Sequence, residues 1–322
     1  MSGWLYLLVS LFFVEKLLNS MFKIAIASGK GGVGKSMISS SLLILFSKDK
    51  KKVIGVDCDV DAPNLAVWLG EPEKWEKIEK ISVSEKPAIN NKNLTKEQAE
   101  ECAKKCRFRA LELKGEKLVL NRFLCEGCGA CEVFCPDGVI KMRTVESGEI
   151  KTKITDYGFP IVSGQLYPGE SGSGKVVAEV KKRAENLDGE IMVIDSAPGT
   201  SCPVTASFQG VDFVLLVTEP TLSGFSDFER VLEIVDYFKI SWGLVINKYE
   251  INQDLAKEIR RKSGKRFFGK VSYDKNIFTS VSNLRPIVKT NLKAKKEIEI
   301  IYKKLVKKIY YGQANKKKKG FF

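Results

Sequence analysis

The segment FKIAIASGKGGVGKS, residues 22–36, constrains the fold more than any other part of the chain. An apolar β-type run enters a glycine-rich turn, and the turn opens a helical stretch, SMISSSLLILFSK. Gly29 through Ser36 fit G-x-x-x-x-G-K-[ST] in the strand–loop–helix setting that the pattern needs. Glycines let backbone N–H groups curl around a phosphate, and the helix N-terminus adds its dipole. The phosphate-contacting set is therefore Gly29, Lys30, Gly31, Gly32, Val33, Gly34, Lys35 and Ser36. Lys35 is placed to reach the β- and γ-phosphates, and the Ser36 hydroxyl to take Mg²⁺.

Other apolar runs follow the same plan. KKVIGVDCDVDAPNL (51–65) and EIMVIDSAPGT (190–200) end in acidic residues, while DFVLLVTEP (212–220) and SWGLVINKYE (241–250) supply further buried strands. Strands alternating with helices of this length imply an α/β fold, a doubly wound parallel sheet with its ligand at the strand C-termini. A second match, GESGSGKV (169–176), puts Val176 where the Mg²⁺-binding hydroxyl belongs and follows only the short, broken run VSGQLYP. It reads as a surface loop opening the helix VVAEVKKRAEN.

Lys30 turns the loop into K-G-G-x-G-K-S. This resembles the deviant Walker A motif of the MinD/ParA/Mrp superfamily of P-loop ATPases, the group that includes the nitrogenase iron protein. The stretch from Thr200 to Glu233 extends the likeness. The resemblance implies ATP as ligand and a homodimer in which Lys30 reaches the partner's nucleotide, as an arginine finger does. It also implies that Asp59 orients the attacking water, that Asp57 supports the Mg²⁺ shell and that Asp195 holds Mg²⁺ through water. Asn247 falls where the family reads adenine. NKYE resembles a guanine-reading N-K-x-D as well, with Glu250 last, so ATP over GTP rests on the extra lysine.

Six of the eight cysteines lie between Cys102 and Cys135. CEGCGACEVFCPDG (125–138) has the C-x2-C-x2-C-x3-C-P spacing of ferredoxin iron–sulfur ligands. The fourth cysteine of such a run serves the other cluster of a two-cluster ferredoxin. The segment sits where the strand–helix alternation breaks, between 71 and 158. On these residues the chain resembles MinD-superfamily ATPases carrying an inserted ferredoxin-like α+β module. Aligning EQAEECAKKCRFRALEL with the end of the run leaves Lys96 and Ala99 where two ligands belong. The resemblance then implies one [4Fe–4S] cluster on Cys106, Cys125, Cys128 and Cys131, with Cys102 and Cys135 left from a degenerate second site. Two alternatives stand beside it: Cys135 completing its own run, or Zn²⁺ on four thiolates. Cys58 and Cys202, beside the acidic strand ends, read as small buried hydrophobes.

Without a single histidine, the chain has no Ser–His or Cys–His catalysis and no histidine-bound zinc or haem. Clustered rather than dispersed cysteines point to a reducing, cytoplasmic setting. The formal charge of +14 is concentrated at the end: residues 291–322 hold 11 lysines against two glutamates, which leaves only +5 elsewhere. That distribution argues against a specific nucleic-acid interface. Ile298, Ile301, Tyr302, Leu305 and Ile309 form a helical stripe, read as a last helix packed on the sheet, with membrane contact through its basic face as the alternative. Expected units are a spurious or mobile extension (1–20), an ATPase domain (21–70 and 159–311), an inserted module (71–158) and a basic tail (312–322). The expected activity is nucleotide-gated electron transfer to an unidentified redox or iron–sulfur acceptor protein. The alternatives are an iron–sulfur carrier ATPase and a MinD-like positioning ATPase with a structural cluster.

Overall fold

The computed structural model describes residues 21–319 except Glu73 and Asn93, so the 1–20 extension lies outside the described residues. The strands in chain order are β1 (Phe22–Ser28), β2 (Val53–Cys58), β3 (Lys77–Ile81), β4 (Ser84–Ile89), β5 (Leu111–Lys114), β6 (Lys117–Leu120) and β7 (Ile140–Val145). They continue with β8 (Gly148–Ile154), β9 (Pro160–Leu166), β10 (Ile191–Pro198), β11 (Phe213–Thr218), β12 (Ser241–Asn247) and β13 (Phe267–Val271). Nine of them form one sheet in the order β13-β12-β11-β1-β10-β2-β9-β8-β3. From β13 to β9 the pairing is parallel; β8 and β3 close that edge antiparallel.

The alternation in β1 shows why the sheet is covered on both faces. Ile24 and Ile26 enter one buried cluster, with the helices Lys35–Lys48 and Lys293–Lys319. Ala25 and Ala27 enter the other, with the helices Ser173–Glu185, Cys202–Phe208, Leu222–Tyr237 and Gln253–Ser263. The predicted stripe on the last helix is buried: Ile298, Ile301 and Leu305 are sealed in the first cluster, and Tyr302 donates a 2.6 Å hydrogen bond to Asp49. That helix runs on to Lys319, through much of the span expected as a tail. Among the described residues no helix is long and apolar enough to cross a membrane.

The span 71–158 proves composite. β3 and β8 belong to the large sheet, and only the chain between them leaves it. There β4 pairs with β7, β5 pairs with β6, and two helices, Lys96–Lys105 and Ala130–Phe134, pack beside them. A capping box of Thr95 and Gln98 starts the first helix. This part has its own small core, with Ala99, Leu111, Leu118, Val139 and Ile140 buried around Cys102, Cys131 and Cys135. The segment VSGQLYP, read as too broken for a strand, contributes most of β9, which pairs with β2 in the parallel sheet. Its glycine makes this possible, because a Cβ at Gly164 would collide with Val180 of the covering helix.

Candidate functional site

The phosphate loop lies at the C-terminal end of β1, in the middle of the sheet. Gly34 starts the helix Lys35–Lys48 at φ 98°, where a side chain would strike the Asn247 amide. A Cβ at Gly29 would run into the Asp227 carbonyl of the helix Leu222–Tyr237. Glycine is thus demanded by conformation at one position and by close approach at the other. Asn247 Nδ2 donates to the Val33 carbonyl at 2.7 Å, so the predicted base-reading residue also braces the loop.

Sheet register assembles the acidic cluster. Asp57 and Asp195 are direct partners across β2 and β10, both buried, with half-buried Asp59 just beyond. Burial pushes the Asp57 carboxyl well above the usual range, and neighbouring Asp195 pushes it further, while N–H groups of Leu65 (2.9 Å) and Asp59 (3.2 Å) oppose this. Burial likewise raises Asp195, against Ser36, Lys35 and the Ser39 hydroxyl at 2.9 Å. Asp59 is raised chiefly by burial, with Lys35 opposing. Lys35 is buried too; desolvation lowers its ammonium although Asp195, Asp59 and Asp57 pull the other way. Asp195, Asp59 and Asp57 all act on the Lys35 ammonium, which gives the base of the phosphate loop a buried, mutually compensated set of charges.

A cleft of about 260 Å³ opens over this group, lined by Gly31, Gly32, Gly34, Lys35, Ser36, Asp59 and Asn247. Asp57 and Asp195 are buried and do not reach its wall. Lys30 is turned aside, half exposed, with Nζ 3.1 Å from Glu219 Oε1. Glu219 Oε2 accepts from Lys248 at 3.0 Å, and Lys248 also reaches the Gly32 carbonyl at 3.1 Å. Glu219, Lys248, Pro198 and the Ser272–Asp274 loop escape sequence reasoning, as does Phe278 on the cleft wall. Glu250 is not on the wall; it accepts from the Tyr273 N–H at 3.0 Å.

The other predicted site forms a smaller cavity of about 70 Å³, with Cys106, Cys125, Cys128 and Cys131 all on its wall. Leu111, Leu120, Phe134 and Met142 supply apolar lining. Burial raises the Cys131 thiol, and the Cys125, Cys128 and Cys106 thiols around it add to the effect. Cys106 Sγ accepts the Ala110 N–H at 3.3 Å. Among the described residues no three acidic or cysteine side chains are gathered as the ligands of one ion. Cys102 and Cys135 are not on this wall although they share its core; expected as leftover thiols in a reducing setting, they are instead joined to each other as a disulfide, Cα–Cα 5.5 Å. Cys58 is buried as expected, whereas Cys202 is exposed at the start of the helix Cys202–Phe208 that follows β10.

The match GESGSGKV opens the helix Ser173–Glu185 as expected, but its loop is less exposed than a surface loop would be. Residues 169–174 are half buried, and Glu170 is nearly covered where it meets Lys86.

The family of CobQ/CobB/MinD/ParA nucleotide binding domains matches residues 24–287. An uncharacterised protein of Methanocaldococcus jannaschii is 35% identical over 288 residues, 89% of this chain and 98% of the relative. An uncharacterised ATP-binding protein of the same organism is 27% identical over 296 residues, covering 88% and 98%. The septum site-determining protein MinD complexed with Mg-ADP from Pyrococcus horikoshii shares the fold, with a TM-score of 0.56 at 15% identity over 91% of this chain and 99% of that one. With the match spanning most of its length, the chain belongs to the CobQ/CobB/MinD/ParA nucleotide-binding family and is a P-loop ATPase.

Proposed function

We propose that the chain is an ATP-driven switch carrying one [4Fe–4S] cluster in a ferredoxin-like insert, and that ATP turnover gates electron transfer to an acceptor protein. In this reading Gly29–Ser36 cradle the phosphates, Lys35 binds the β- and γ-phosphates, and Ser36, Asp57 and Asp195 hold Mg²⁺. Asp59, at the cleft edge, orients the attacking water. Glu250 is occupied by the Tyr273 backbone, away from the base, which favours adenine beside Asn247 over guanine. Lys30 acts in a homodimer, once it leaves Glu219 for the partner's nucleotide. When bound, the cluster supplies one-electron chemistry.

The observation that carries the reading is the gathering of Cys106, Cys125, Cys128 and Cys131 on one cavity wall, with Cys102 and Cys135 paired elsewhere. The C-x2-C-x2-C-x3-C-P spacing favours a cubane on these thiolates over a single tetrahedral Zn²⁺ ion. The Ala110 N–H donating to Cys106 is the kind of hydrogen bond that tunes a cluster. The test is iron and sulfide per chain after anaerobic purification. About four irons are expected in the wild type, lost in Cys106→Ser and kept in Cys135→Ser; the opposite mutant pattern defeats the assignment. Cys128, exposed at the cavity mouth, favours a second reading in which the cluster is handed on. Stoichiometric transfer of iron to an apo-protein during turnover would select that reading.

A further inference from the structure

Lys86 is the feature that neither site explains. It lies on β4, 3% exposed, yet carries an ammonium. Its Nζ donates to the carbonyls of Cys125 at 2.6 Å, Arg122 at 3.1 Å and Gly169 at 3.2 Å, with Glu170 Oε2 3.6 Å away. A buried ammonium satisfied by three carbonyls and a carboxylate holds those backbones in one arrangement. Two of the carbonyls belong to the insert, and one of these is that of Cys125 on the wall of the four-thiol cavity. The Gly169 carbonyl and the Glu170 carboxylate belong to the loop between β9 and the helix Ser173–Glu185.

That loop touches the nucleotide machinery at both ends. Before it, the Leu166 N–H donates to the Val60 carbonyl at 2.9 Å, one residue beyond Asp59. After it, Gly174 packs so closely on Cys202 that a Cβ there would lie 3.2 Å from the Cys202 backbone and side chain. Lys181, further along the same helix, donates to the carbonyls of Ala206 at 2.9 Å and Ser207 at 3.0 Å, fastening it to the helix Cys202–Phe208. Cys202 follows Pro198, which lines the nucleotide cleft. On the insert side, Ser84 Oγ donates to the Ser171 carbonyl, and Gly127 sits against the Glu85 carbonyl with Ser171 beside it.

We propose that the 167–174 loop is the mechanical link between the two sites, and that Lys86, through Cys125 O and Glu170, is the positioning residue that transmits it. The inference rests on the ATPase-with-insert reading and adds its route. A shift of the segment Pro198–Cys202 when Mg²⁺ and nucleotide bind moves the helix Ser173–Glu185 as a rigid body. The loop at its N-terminus then carries the Cys125 backbone with it. Rigid elements packed at both ends are the physical form that such coupling takes.

The test uses the full chain without a cluster, in the presence of Mg²⁺ and a non-hydrolysable ATP analogue. The alkylation rates of Cys125 and Cys128 are followed by peptide mass spectrometry, and analogue affinity is measured on the same samples. In the wild type the analogue should change the Cys125 rate at least threefold. Lys86→Met and Glu170→Gln should abolish that change while leaving affinity within twofold; Glu170→Gln keeps the shape of the joint should Lys86→Met fail to fold. Analogue binding with no change at Cys125, or a change that survives in a folded variant, overturns the link alone. Failure of the wild type to bind the analogue overturns the ATPase reading beneath it.

Discussion

The nucleotide cleft takes its geometry from the middle of a nine-stranded sheet, whereas the four-thiol cavity takes its geometry from two short helices and a small separate core. In the cleft, Asp57 and Asp195 face each other because β2 and β10 are in register, and strands on both sides fix that register. In the insert, Cys106 and Cys131 sit at or near the ends of helices of 10 and 5 residues. A site built by register stands complete before its ligand arrives. A site in so small a core has far less packing to hold its walls in place.

Removing Lys35 should separate the two most sharply. Lys35→Ala is expected to lower ATP hydrolysis by about 10²–10³-fold, the scale of losing one charge-stabilising group, while leaving iron content unchanged. Phosphate release and iron assays on the same sample check this. Equal loss of iron would mean that the sites are not built independently.

Cross-link removal sharpens the contrast from the other side. Cys102→Ser opens a link between residues 33 apart in sequence, and should cost the insert about 2–4 kcal/mol. Leu42→Ala, inside the main core, should cost a similar 2–5 kcal/mol but lower the stability of the whole sheet. Amide exchange under urea distinguishes them: the first variant should deprotect β5 and β6 and spare β1 and β10. Alkylation in denaturant, with and without prior reduction, should report two more thiols after reduction in the wild type.

The smallest effect concerns Glu219. Burial alone would raise its carboxyl, but hydrogen bonds from Lys248 and Lys30 outweigh that and hold it below the usual range. A lowered carboxylate gives stability that is present above its unfolded pKa of about 4.3 and lost as pH falls through the lower folded value. Because Lys30 is half exposed, the amount should stay below about 1 kcal/mol. Thermal melts between pH 7 and pH 3 should show this acid loss in the wild type and not in Glu219→Gln.

What the sequence made legible is what local chemistry demands. Glycines at the loop, acidic residues at strand ends and the cysteine spacing each announce themselves within a few residues. The assignment of β3 and β8 to the large sheet was hidden, since KIEKI and GEIKTKI pair with each other across the whole insert. Lys86 was hidden for a different reason: in SEKPAI it looks like one more solvated charge, and only distant carbonyls make it a buried joint. Glu219 and the Tyr273 loop belong to the same class, residues whose partners lie far along the chain. Cys202 failed the opposite way, since its apolar surroundings in sequence do not become burial in space.

Ile81 and Gly148 are partners across β3 and β8, and two residues on either side separate them from the ladder of β4 and β7. The chain therefore leaves the sheet and returns to it at one spot, as though at the tip of a hairpin. An excursion whose two ends already touch leaves the strand pairing of the sheet undisturbed. The insert is in that sense held on a single stem, and contacts such as those of Lys86 with Gly169 and Glu170 decide how it lies against the body.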